Sequence, residues 1–234
     1  MELKQLVEKL SGKFVVLDGP DGCGKSTQLE RLAKALESAD GLVVRCKDPG
    51  GTAIGDRIRS VLLDHDLSKM NVNCEAFLFM ASRAQLIAEV ITPALAARQI
   101  VLCDRFVTST CAYQGAAGYP PERIIDLAKF AIGERWPDLT IVLDIETATG
   151  LARVGRKPHH SGSNRRRQSG QAALFDDALP DAMEARPIEF HRKVRGIFQE
   201  VDRCYPTPVR VLDGDADEDC VHRRILECLA DVTL

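Results

Sequence analysis

The stretch FVVLDGPDGCGKST, residues 14–27, decides the fold of this chain. Its first five residues are apolar up to an aspartate, a pattern that predicts a buried strand. The part from Gly19 to Ser26 has the form Gly-x-x-x-x-Gly-Lys-Ser, which is typical of a phosphate-binding loop. Its glycines let backbone N–H groups approach an anion closely, and the helix predicted from Thr27 adds its positive N-terminal end. The stretch therefore predicts a nucleotide-binding loop between a strand and a helix.

The residues of this loop have separate roles in holding a nucleotide. Lys25 supplies a point charge for the outer phosphates, and the hydroxyl group of Ser26 can ligate Mg²⁺. Cys23 has either a packing role or a redox role, and packing is the interpretation that we favour. The ATP-binding positions that we assign are Gly19, Pro20, Asp21, Gly22, Cys23, Gly24, Lys25, Ser26 and Thr27.

The composition is that of a globular protein with a full core. The chain has 234 residues, 45% of them hydrophobic and 28% charged, which fits one domain spanning 1–234. A net charge of -3 disfavours sequence-independent binding of nucleic acid. The charged N-terminus lacks the apolar core of a signal peptide, and no apolar run is long enough to span a bilayer. The eight cysteines form no Cys-x-x-Cys pair. We therefore expect a cytoplasmic protein without nucleic-acid or membrane partners, disulfide framework or zinc site.

Alternating strand and helix patterns predict the architecture. Five short apolar runs each end in aspartate, at 14–18, 42–48, 100–104, 140–144 and 209–213. Helical patterns lie at 27–38, 53–63, 74–98, 121–134, 147–156, 182–201 and near 218–232. This order predicts an α/β fold of the P-loop NTPase type, a three-layer sandwich in which helices flank a five-stranded parallel sheet.

The aspartates that end the strands mark the predicted functional edge of the sheet. Ligands of such sheets bind beyond the carboxyl ends of the strands. Aspartate is also a common helix N-cap, so a purely structural role is the alternative. We expect functional roles for Asp48 and Asp104, and structural roles for Asp144 and Asp213.

One basic segment interrupts the alternation of strands and helices. Residues 156–174 are polar, rich in arginine and contain Gly and Ser, which predicts a mobile segment. In a phosphate-binding enzyme such a segment is a candidate lid that closes over the transferring phosphates, and we assign this lid to about 156–180. A solvated loop is the alternative interpretation. The neighbouring His159 and His160 are not expected to bind a metal.

Two clusters after the phosphate loop are suited to binding an anion and a base. The segment Lys47–Thr52 contains a Pro-Gly-Gly turn with approachable backbone, and Arg59 on the next helix can reach an anion. Phe79 and Arg83 lie one helical turn apart and share a face. An aromatic ring beside a planar donor suits stacking on a base and hydrogen bonding to its edge. Taken alone, the alternative is that Phe79 is a core residue and Arg83 a surface charge.

A third cluster follows the third strand and runs from Asp104 to Gly115. Strand topology brings Asp104 near the phosphate loop, where its carboxylate can hold a magnesium-bound water. Arg105 can form a two-pronged contact with a phosphate. An Asp-Arg pair is also a common ion pair, but further polar residues in the same stretch make a binding site the more specific interpretation. These residues are Ser109, Thr110, Tyr113 and Gln114.

With these motifs in this order, the chain resembles the bacterial-type thymidylate kinases, a family of P-loop nucleoside monophosphate kinases. The resemblance extends from Phe14 to about Asp213. Its landmarks are the loop with Asp21, Pro-Gly-Gly-Thr at 49–52, Phe-x-x-x-Arg at 79–83, Asp-Arg at 104–105, Ala-Tyr-Gln-Gly at 112–115, Pro-Asp at 137–138, Leu-Ala-Arg at 151–153 and Glu-Phe-His-x-x-Val-Arg at 189–195.

The resemblance implies an enzyme that transfers the γ-phosphate of ATP to dTMP, giving dTDP and ADP for dTTP biosynthesis. It also implies Mg²⁺ as the cofactor and a homodimer as the assembly. The implied substrate-binding residues are Asp21, Asp48, Arg59, Phe79, Arg83, Arg105, Thr110, Tyr113 and Gln114. The implied catalytic residues are Lys25, Asp104, Arg105, Arg153 and Arg166, and the implied metal ligands are Ser26 and Asp104.

The same resemblance divides the substrate-binding residues among the parts of dTMP. Phe79 stacks on thymine, and the base receives hydrogen bonds from a set of three polar side chains, Arg83, Thr110 and Gln114. Arg59 and Arg105 hold the acceptor phosphate. Asp21 lies near the sugar 3′-hydroxyl, and Tyr113 crowds the 2′ position and disfavours ribonucleotides.

Elementary chemistry explains why such a site needs several positively charged groups. A phosphate monoester has its second ionisation near pH 6, so the acceptor is largely deprotonated at neutral pH and needs no general base. Catalysis then consists of aligning two anions and neutralising the charge on the migrating group. That requires several cations, which we assign to Lys25, Arg59, Arg105 and the arginines from 153 to 167.

The chain departs from the family pattern at several positions. Lys47 and Asp48 stand where bacterial members usually carry Arg and Glu, and Phe106 replaces a more usual Tyr or His. The lid-side segment Asp181–Glu184 lacks the usual arginine. The lid arginine that contacts the transferring phosphate is therefore open, with Arg165–Arg167 as the candidates.

Three other functions remain open at this point. The chain could phosphorylate another pyrimidine monophosphate such as dUMP. It could be a P-loop switch or partitioning ATPase whose output is a partner interaction, although such a protein needs no acceptor site. It could also be a member of the family that binds nucleotide without catalysis.

Overall fold

The computed structural model describes residues 2–63, 70–155 and 186–233. The strands are β1 (Phe14–Asp18), β2 (Val43–Lys47), β3 (Ile100–Asp104), β4 (Leu139–Asp144) and β5 (Val209–Asp213). The α-helices are α1 (Leu3–Leu10), α2 (Lys25–Glu37), α3 (Ala53–Leu63), α4 (Val72–Leu86), α5 (Thr92–Ala96), α6 (Val107–Ala116), α7 (Pro121–Ile132), α8 (Thr147–Gly155), α9 (Ile188–Glu200) and α10 (Glu218–Asp231). A π-helical turn, Ile87–Ile91, joins α4 to α5, and a 3₁₀ turn, Val201–Arg203, follows α9.

The strands form one parallel sheet in the order β2-β3-β1-β4-β5. In the register, Asp104 of β3 is level with Lys47 of β2 and Leu17 of β1, while Asp144 is level with Asp213. Because every strand runs in the same direction, these terminal residues share the edge of the sheet at which α2 begins. The predicted α/β fold with a five-stranded parallel sheet flanked by helices is confirmed.

Helices cover both faces of the sheet. Along β1, Phe14 and Val16 contact an apolar cluster that includes residues of α4, α6 and α9. Val15 and Leu17 contact a second cluster that includes residues of α1, α2 and α10. Burial of one such side chain contributes about 1.5–3 kcal/mol, so two apolar cores stabilise the three-layer arrangement.

Two helices are not predicted by the sequence patterns. Helix α6 has seven of its ten residues buried, so it lacks the one-sided periodicity by which a helix is recognised. Helix α1 is amphipathic and buries Leu6 and Leu10. It is tied to α10 by a hydrogen bond of 2.8 Å from Lys9 Nζ to the backbone oxygen of Ala230.

The predicted single helix at 74–98 is wrong in its details. The helix begins at Val72, after the N-cap Asn71, whose side chain accepts a hydrogen bond of 2.9 Å from Asn73 N. The π-helical turn interrupts it, and α5 ends at Ala96. Smaller shifts move the start of α2 from Thr27 to Lys25 and the start of β4 from Thr140 to Leu139, and shorten β2 to 43–47.

Some predictions fall outside the described residues. These are the lid at 156–180 with Arg165–Arg167, including Arg166, the pair His159 and His160, and the segment Asp181–Glu184. Within residues 2–63, 70–155 and 186–233, no helix has the length and apolar character needed to cross a bilayer.

Candidate active site

The phosphate loop directly follows β1, and its shape depends on glycines with positive φ. Gly19, Gly22 and Gly24 have φ values of 139°, 75° and 89°. A Cβ atom on Gly22 would lie 2.0 Å from the backbone oxygen of Gly150, so α8 packs where only glycine fits. Gly24 is the N-cap of α2. The predicted ATP-binding positions 19–27 thus form one continuous loop and helix start, a geometry suited to an anion.

Two side chains of the loop are buried within it. Lys25 Nζ donates a hydrogen bond of 3.2 Å to Pro20 O and lies 3.9 Å from Asp21 Oδ1. These contacts hold the ammonium group inside the loop, where a phosphate can reach it. Burial raises the pKa of the Cys23 thiol. Because the thiolate is the reactive form, this favours the packing interpretation of Cys23.

Ser26 and Asp104 meet where β3 ends. Ser26 Oγ donates a hydrogen bond of 2.6 Å to Asp104 Oδ2. Asp104 Oδ1 is buried and has no hydrogen-bond partner among the described residues, so its lone pairs are available to a ligand. Hydroxyl and carboxylate oxygens suit Mg²⁺, which takes most of its other ligands from water and substrate phosphates. The two residues therefore fit the predicted metal site.

Arg105 leaves β3 in a strained conformation and turns towards the phosphate loop. Its φ is 68°, in the left-handed region that costs a non-glycine residue of the order of 1–3 kcal/mol. Its Nη1 donates to Gly19 O at 3.3 Å and to Ser109 Oγ at 3.1 Å, and its Nη2 donates to Asp21. The adjacent Asp104 contacts Ser26 instead. The two residues of the Asp-Arg dipeptide therefore belong to different parts of the site, Asp104 to the predicted metal site and Arg105 to the contacts with Asp21.

Asp18 stabilises the turn around Arg105. Its carboxylate accepts hydrogen bonds from Gly19 N at 2.8 Å, Thr108 Oγ1 at 2.5 Å and Ser109 Oγ at 2.6 Å. These contacts join the end of β1 to the start of α6. A fully buried carboxylate with several donors offsets the strain at Arg105.

Asp21 lies at the centre of the charged groups. It contacts Arg105 and Lys25, and Tyr113 Oη donates a hydrogen bond of 2.6 Å to its Oδ2. His191 Nδ1 lies 4.0 Å from the same oxygen. Burial acts to raise the pKa of Asp21, but Arg105, Lys25 and Tyr113 outweigh it and lower that pKa. Asp21 is therefore an anion that keeps two cations within the site.

A buried ion pair forms the opposite wall. Arg83 is 1% exposed, and its Nε donates a hydrogen bond of 2.6 Å to Asp48 Oδ2. Its Nη2 donates to Phe106 O at 3.1 Å and to Thr110 Oγ1 at 3.0 Å. Burial raises the pKa of Asp48, although the charge of Arg83 acts in the opposite direction. The pair links α4 to the end of β2 and to α6.

These groups line one cleft. The structure brings all nine predicted substrate-binding residues to this cleft: Asp21, Asp48, Arg59, Phe79, Arg83, Arg105, Thr110, Tyr113 and Gln114. The other lining residues are Pro49, Leu63 and Ser109. Arg59 Nη1 donates a hydrogen bond of 2.8 Å to Pro49 O, which holds its side chain along the turn after β2.

Other predicted residues lie apart from the cleft. Arg153 is on α8, with its Nη2 3.4 Å from Asp215 Oδ1 beyond the end of β5. The two aspartates expected to be structural each contact an arginine. Asp144 accepts from Arg195 Nε at 2.8 Å and Nη2 at 2.9 Å, and Arg224 Nη1 lies 2.8 Å from Asp213 Oδ2.

Sequence reasoning does not identify every group that supports the site. Asp18, His191 and Glu75 are buried, and the sequence patterns give none of them a role. Asp18 contacts Ser109 and His191 lies near Asp21, both of which line the cleft. Asp18 ends a predicted strand like the aspartates that were assigned, and His191 lies in the Glu-Phe-His motif. Glu75 precedes Phe79 and Arg83 at the same four-residue spacing, so helical periodicity identifies all three as one face.

Comparisons with known proteins agree with this geometry. A family model of thymidylate kinase matches residues 17–225. A thymidylate kinase of Solidesulfovibrio magneticus is 38% identical over 209 residues, covering 89% of this chain and 94% of that protein. One of Geobacter sulfurreducens is 39% identical over 205 residues, covering 87% and 90%.

The fold comparison extends over a similar length. The crystal structure of a thymidylate kinase from Ehrlichia chaffeensis has a TM-score of 0.68 and 25% sequence identity, and covers 94% of this chain and 99% of that one. Because the family model spans most of the chain, including the phosphate loop from Gly19 and the cleft, the protein belongs to the thymidylate kinase family.

Proposed function

We propose that this enzyme transfers the γ-phosphate of ATP to dTMP, giving dTDP and ADP, with Mg²⁺ bound at Ser26 and Asp104. The observation that carries the proposal is the convergence of all nine expected substrate-binding residues on one cleft. That cleft meets the phosphate loop at Asp21 and Arg105, whose side chains contact each other. The two nucleotides therefore have adjoining sites that share a set of cations.

The donor nucleotide is held by its phosphates. Backbone N–H groups of the loop and the N-terminus of α2 provide positive dipole, and Lys25 provides the charge for the outer phosphates. When bound, Mg²⁺ supplies charge neutralisation on the transferring phosphate. The protein oxygens that would hold it are Ser26 Oγ and Asp104 Oδ1, which has no hydrogen-bond partner in the described part of the chain.

The acceptor phosphate is held by arginines. Arg105 has a rigid fork of donors already directed at Asp21 and Gly19, so a dianionic phosphate can replace those partners with little reorganisation. Arg59 extends along the Pro49 turn from the other side of the cleft. Because the acceptor is already deprotonated, the residues only need to align the two phosphates and offset their charge.

The rest of the cleft selects the nucleoside. Phe79, half-buried at the cleft wall, stacks on the pyrimidine, and Arg83 and Thr110 hydrogen-bond to its edge. Tyr113 lies near the sugar, fixed by its hydrogen bond to Asp21. A bulky ring at this position crowds a 2′-hydroxyl group and favours deoxyribonucleotides.

The assembly and location are part of the same proposal. We propose a homodimer, supported by the exposed apolar side chains Ile54 and Val61 on α3 and Phe77 on α4, which a second copy can cover. Sedimentation of the Phe77→Ser variant as a monomer would support this surface. All eight cysteines are free thiols, which supports a cytoplasmic location.

A panel of monophosphates tests the substrate. We expect ADP release from ATP and Mg²⁺ to depend on dTMP, with dUMP as the second candidate because its base has the same edge. Ribose analogues should be poor acceptors. Equal turnover of ribo- and deoxyribonucleotides would overturn the role of Tyr113, and turnover without any dTMP dependence would overturn the proposed function.

A further inference from the structure

A serine in the cleft connects Arg105 to a buried carboxylate and has no part in the chemistry above. Ser109 Oγ accepts a hydrogen bond of 3.1 Å from Arg105 Nη1 and donates one of 2.6 Å to Asp18 Oδ1. Ser109 lines the cleft, whereas Asp18 is fully buried at the end of β1. A chain of hydrogen bonds therefore runs from the arginine at the cleft wall into the core.

The direction of each hydrogen bond in this chain is determined by the groups at its two ends. The guanidinium group of Arg105 has only donors, so the oxygen of Ser109 must be the acceptor. Asp18 accepts from Gly19 N at 2.8 Å on Oδ1 and from Phe106 N at 3.4 Å on Oδ2, as an ionised carboxylate does. The single proton of the Ser109 hydroxyl is therefore donated to Asp18. A dianionic phosphate also only accepts, so Ser109 has no proton left for it and can act on it only through Arg105.

The two terminal nitrogens of Arg105 have different kinds of partner. Nη2 contacts the carboxylate of Asp21, a loop residue that lines the cleft. Nη1 donates to Ser109, whose hydroxyl is itself held, and over a longer distance of 3.3 Å to Gly19 O. The ring of Tyr113 lies against the guanidinium group, with 5.3 Å between its centroid and the guanidinium carbon. A phosphate can therefore take Nη2 from Asp21 while Ser109 and Tyr113 keep the guanidinium plane in place.

We infer that Ser109 is a positioning residue for the acceptor phosphate, because it holds Nη1 of Arg105 while Nη2 exchanges Asp21 for the phosphate. An arginine side chain has several rotatable bonds, and fixing them on binding costs conformational entropy. A guanidinium group that Ser109 already holds loses less of this freedom when the phosphate binds. Ser109 thereby increases the part of the binding free energy that comes from the phosphate. This inference rests on the proposed function of the cleft.

The Ser109→Ala variant tests the inference through the contribution of the phosphate to binding. That contribution is the ratio of the Kd for thymidine, which has no phosphate, to the Kd for dTMP, both measured by calorimetry. We expect the ratio to fall by about tenfold, the effect of one hydrogen bond, because dTMP binds more weakly while thymidine binds as before. A merely structural role of Ser109 would weaken the binding of both ligands and leave the ratio unchanged.

The matched control is Thr108→Val. Thr108 Oγ1 donates a hydrogen bond of 2.5 Å to the other oxygen of Asp18, and no hydrogen bond joins Thr108 to Arg105 in the part of the chain that the structure describes. This variant removes a hydroxyl contact with the same carboxylate, so it should lower the thermal unfolding temperature without changing the ratio of the two Kd values. An equal fall of the ratio in Ser109→Ala and Thr108→Val would overturn the inference.

A double-mutant cycle distinguishes positioning from direct contact with the phosphate. In an Arg105→Met background, Ser109→Ala should not change the ratio further, since no guanidinium group is left to hold. The same fall of the ratio in both backgrounds would mean that Ser109 contacts the phosphate itself, and would overturn the inference.

Failure of the inference and failure of the proposed function give different results. A folded Ser109→Ala variant with the wild-type ratio, in an enzyme that phosphorylates dTMP and binds it more tightly than thymidine, would overturn the inference alone. A wild-type protein that binds thymidine as tightly as dTMP would overturn both, because Arg105 would then hold no acceptor phosphate. A fall of the ratio in Ser109→Ala without any phosphate transfer by the wild type would support the inference and contradict the proposed function.

Discussion

The phosphate end and the base end of the cleft are built in different ways. At the phosphate end, the binding groups belong to one continuous loop, residues 19–26, whose glycines allow its shape. At the base end, they are side chains from separate elements, with Asp48 after β2, Arg83 on α4 and Thr110 on α6. The first site depends on local backbone geometry, and the second depends on packing between elements that are distant in the chain.

The largest expected effect is at the phosphate end. The Lys25→Ala variant should lower kcat by roughly 10³–10⁵, by analogy with the loss of an arginine that stabilises a transferring phosphate. Because the loop shape depends on backbone glycines, the thermal unfolding temperature should change little. Steady-state kinetics and calorimetry measure the two effects. The control is Lys34→Ala, which removes an exposed lysine from the same helix.

Activity close to that of the wild type in Lys25→Ala would contradict the role of Lys25. A large loss of stability would contradict the difference drawn between the two ends, because it would mean that the loop needs its lysine in order to fold.

The base end should respond to mutation chiefly through stability. The Arg83→Met variant leaves Asp48 as a buried charge without its partner and should lower the free energy of unfolding by about 3–5 kcal/mol. Urea denaturation measures this change. The double variant Asp48→Asn/Arg83→Met should recover part of the loss, because no buried charge is then left unpaired.

A partly exposed arginine provides the contrast for this measurement. Arg45 forms hydrogen bonds of 2.6 and 2.7 Å with Glu37 at the surface, and Arg45→Met should cost at most about 1 kcal/mol. If Arg83→Met and Arg45→Met lowered the free energy of unfolding by similar amounts, the buried pair would not be what organises the base end.

The smallest expected effect is the pH dependence of the stability that Asp21 contributes. Asp21 belongs to the phosphate loop and also lines the cleft, so it connects the two ends. Burial opposes ionisation of Asp21, but Arg105 and Lys25 outweigh it and lower its folded-state pKa. Its stabilising contribution is therefore fully present above the unfolded pKa of about 3.9 and is lost as the pH falls through the folded value. The stability difference between the wild type and Asp21→Asn should be constant from about pH 7 to about pH 5 and shrink below about pH 4.

Urea denaturation over that pH range measures the effect, with the exposed Asp126→Asn as the control. A stability difference that grows on acidification would mean that the pKa of Asp21 is raised, and would remove it as the anion between Arg105 and Lys25.

Much of the fold is predictable because its signals are local. The strands are short apolar runs that end in aspartate, and the alternation with helices predicts a parallel sheet. Helix α6 is the exception, because a helix buried on nearly all sides has no amphipathic pattern. The π-helical turn after α4 likewise leaves no sign in the hydrophobic spacing.

The sequence predicts which residues form the site but not how they contact one another. The cleft contains every substrate-binding residue expected from the motifs. The sequence does not reveal that Arg105 contacts Asp21 rather than its neighbour Asp104, since that depends on a left-handed turn held by Asp18.

The sequence by itself determined the phosphate loop, the parallel sheet and the family of this protein. A loop of eight consecutive residues, 19–26, carries its own geometry, because glycine torsions and helix dipoles act over a few bonds. Only the tertiary structure decided which carboxylate neutralises which cation. Those choices depend on distances of a few ångströms between distant segments, and Coulomb and hydrogen-bond energies change steeply over such distances.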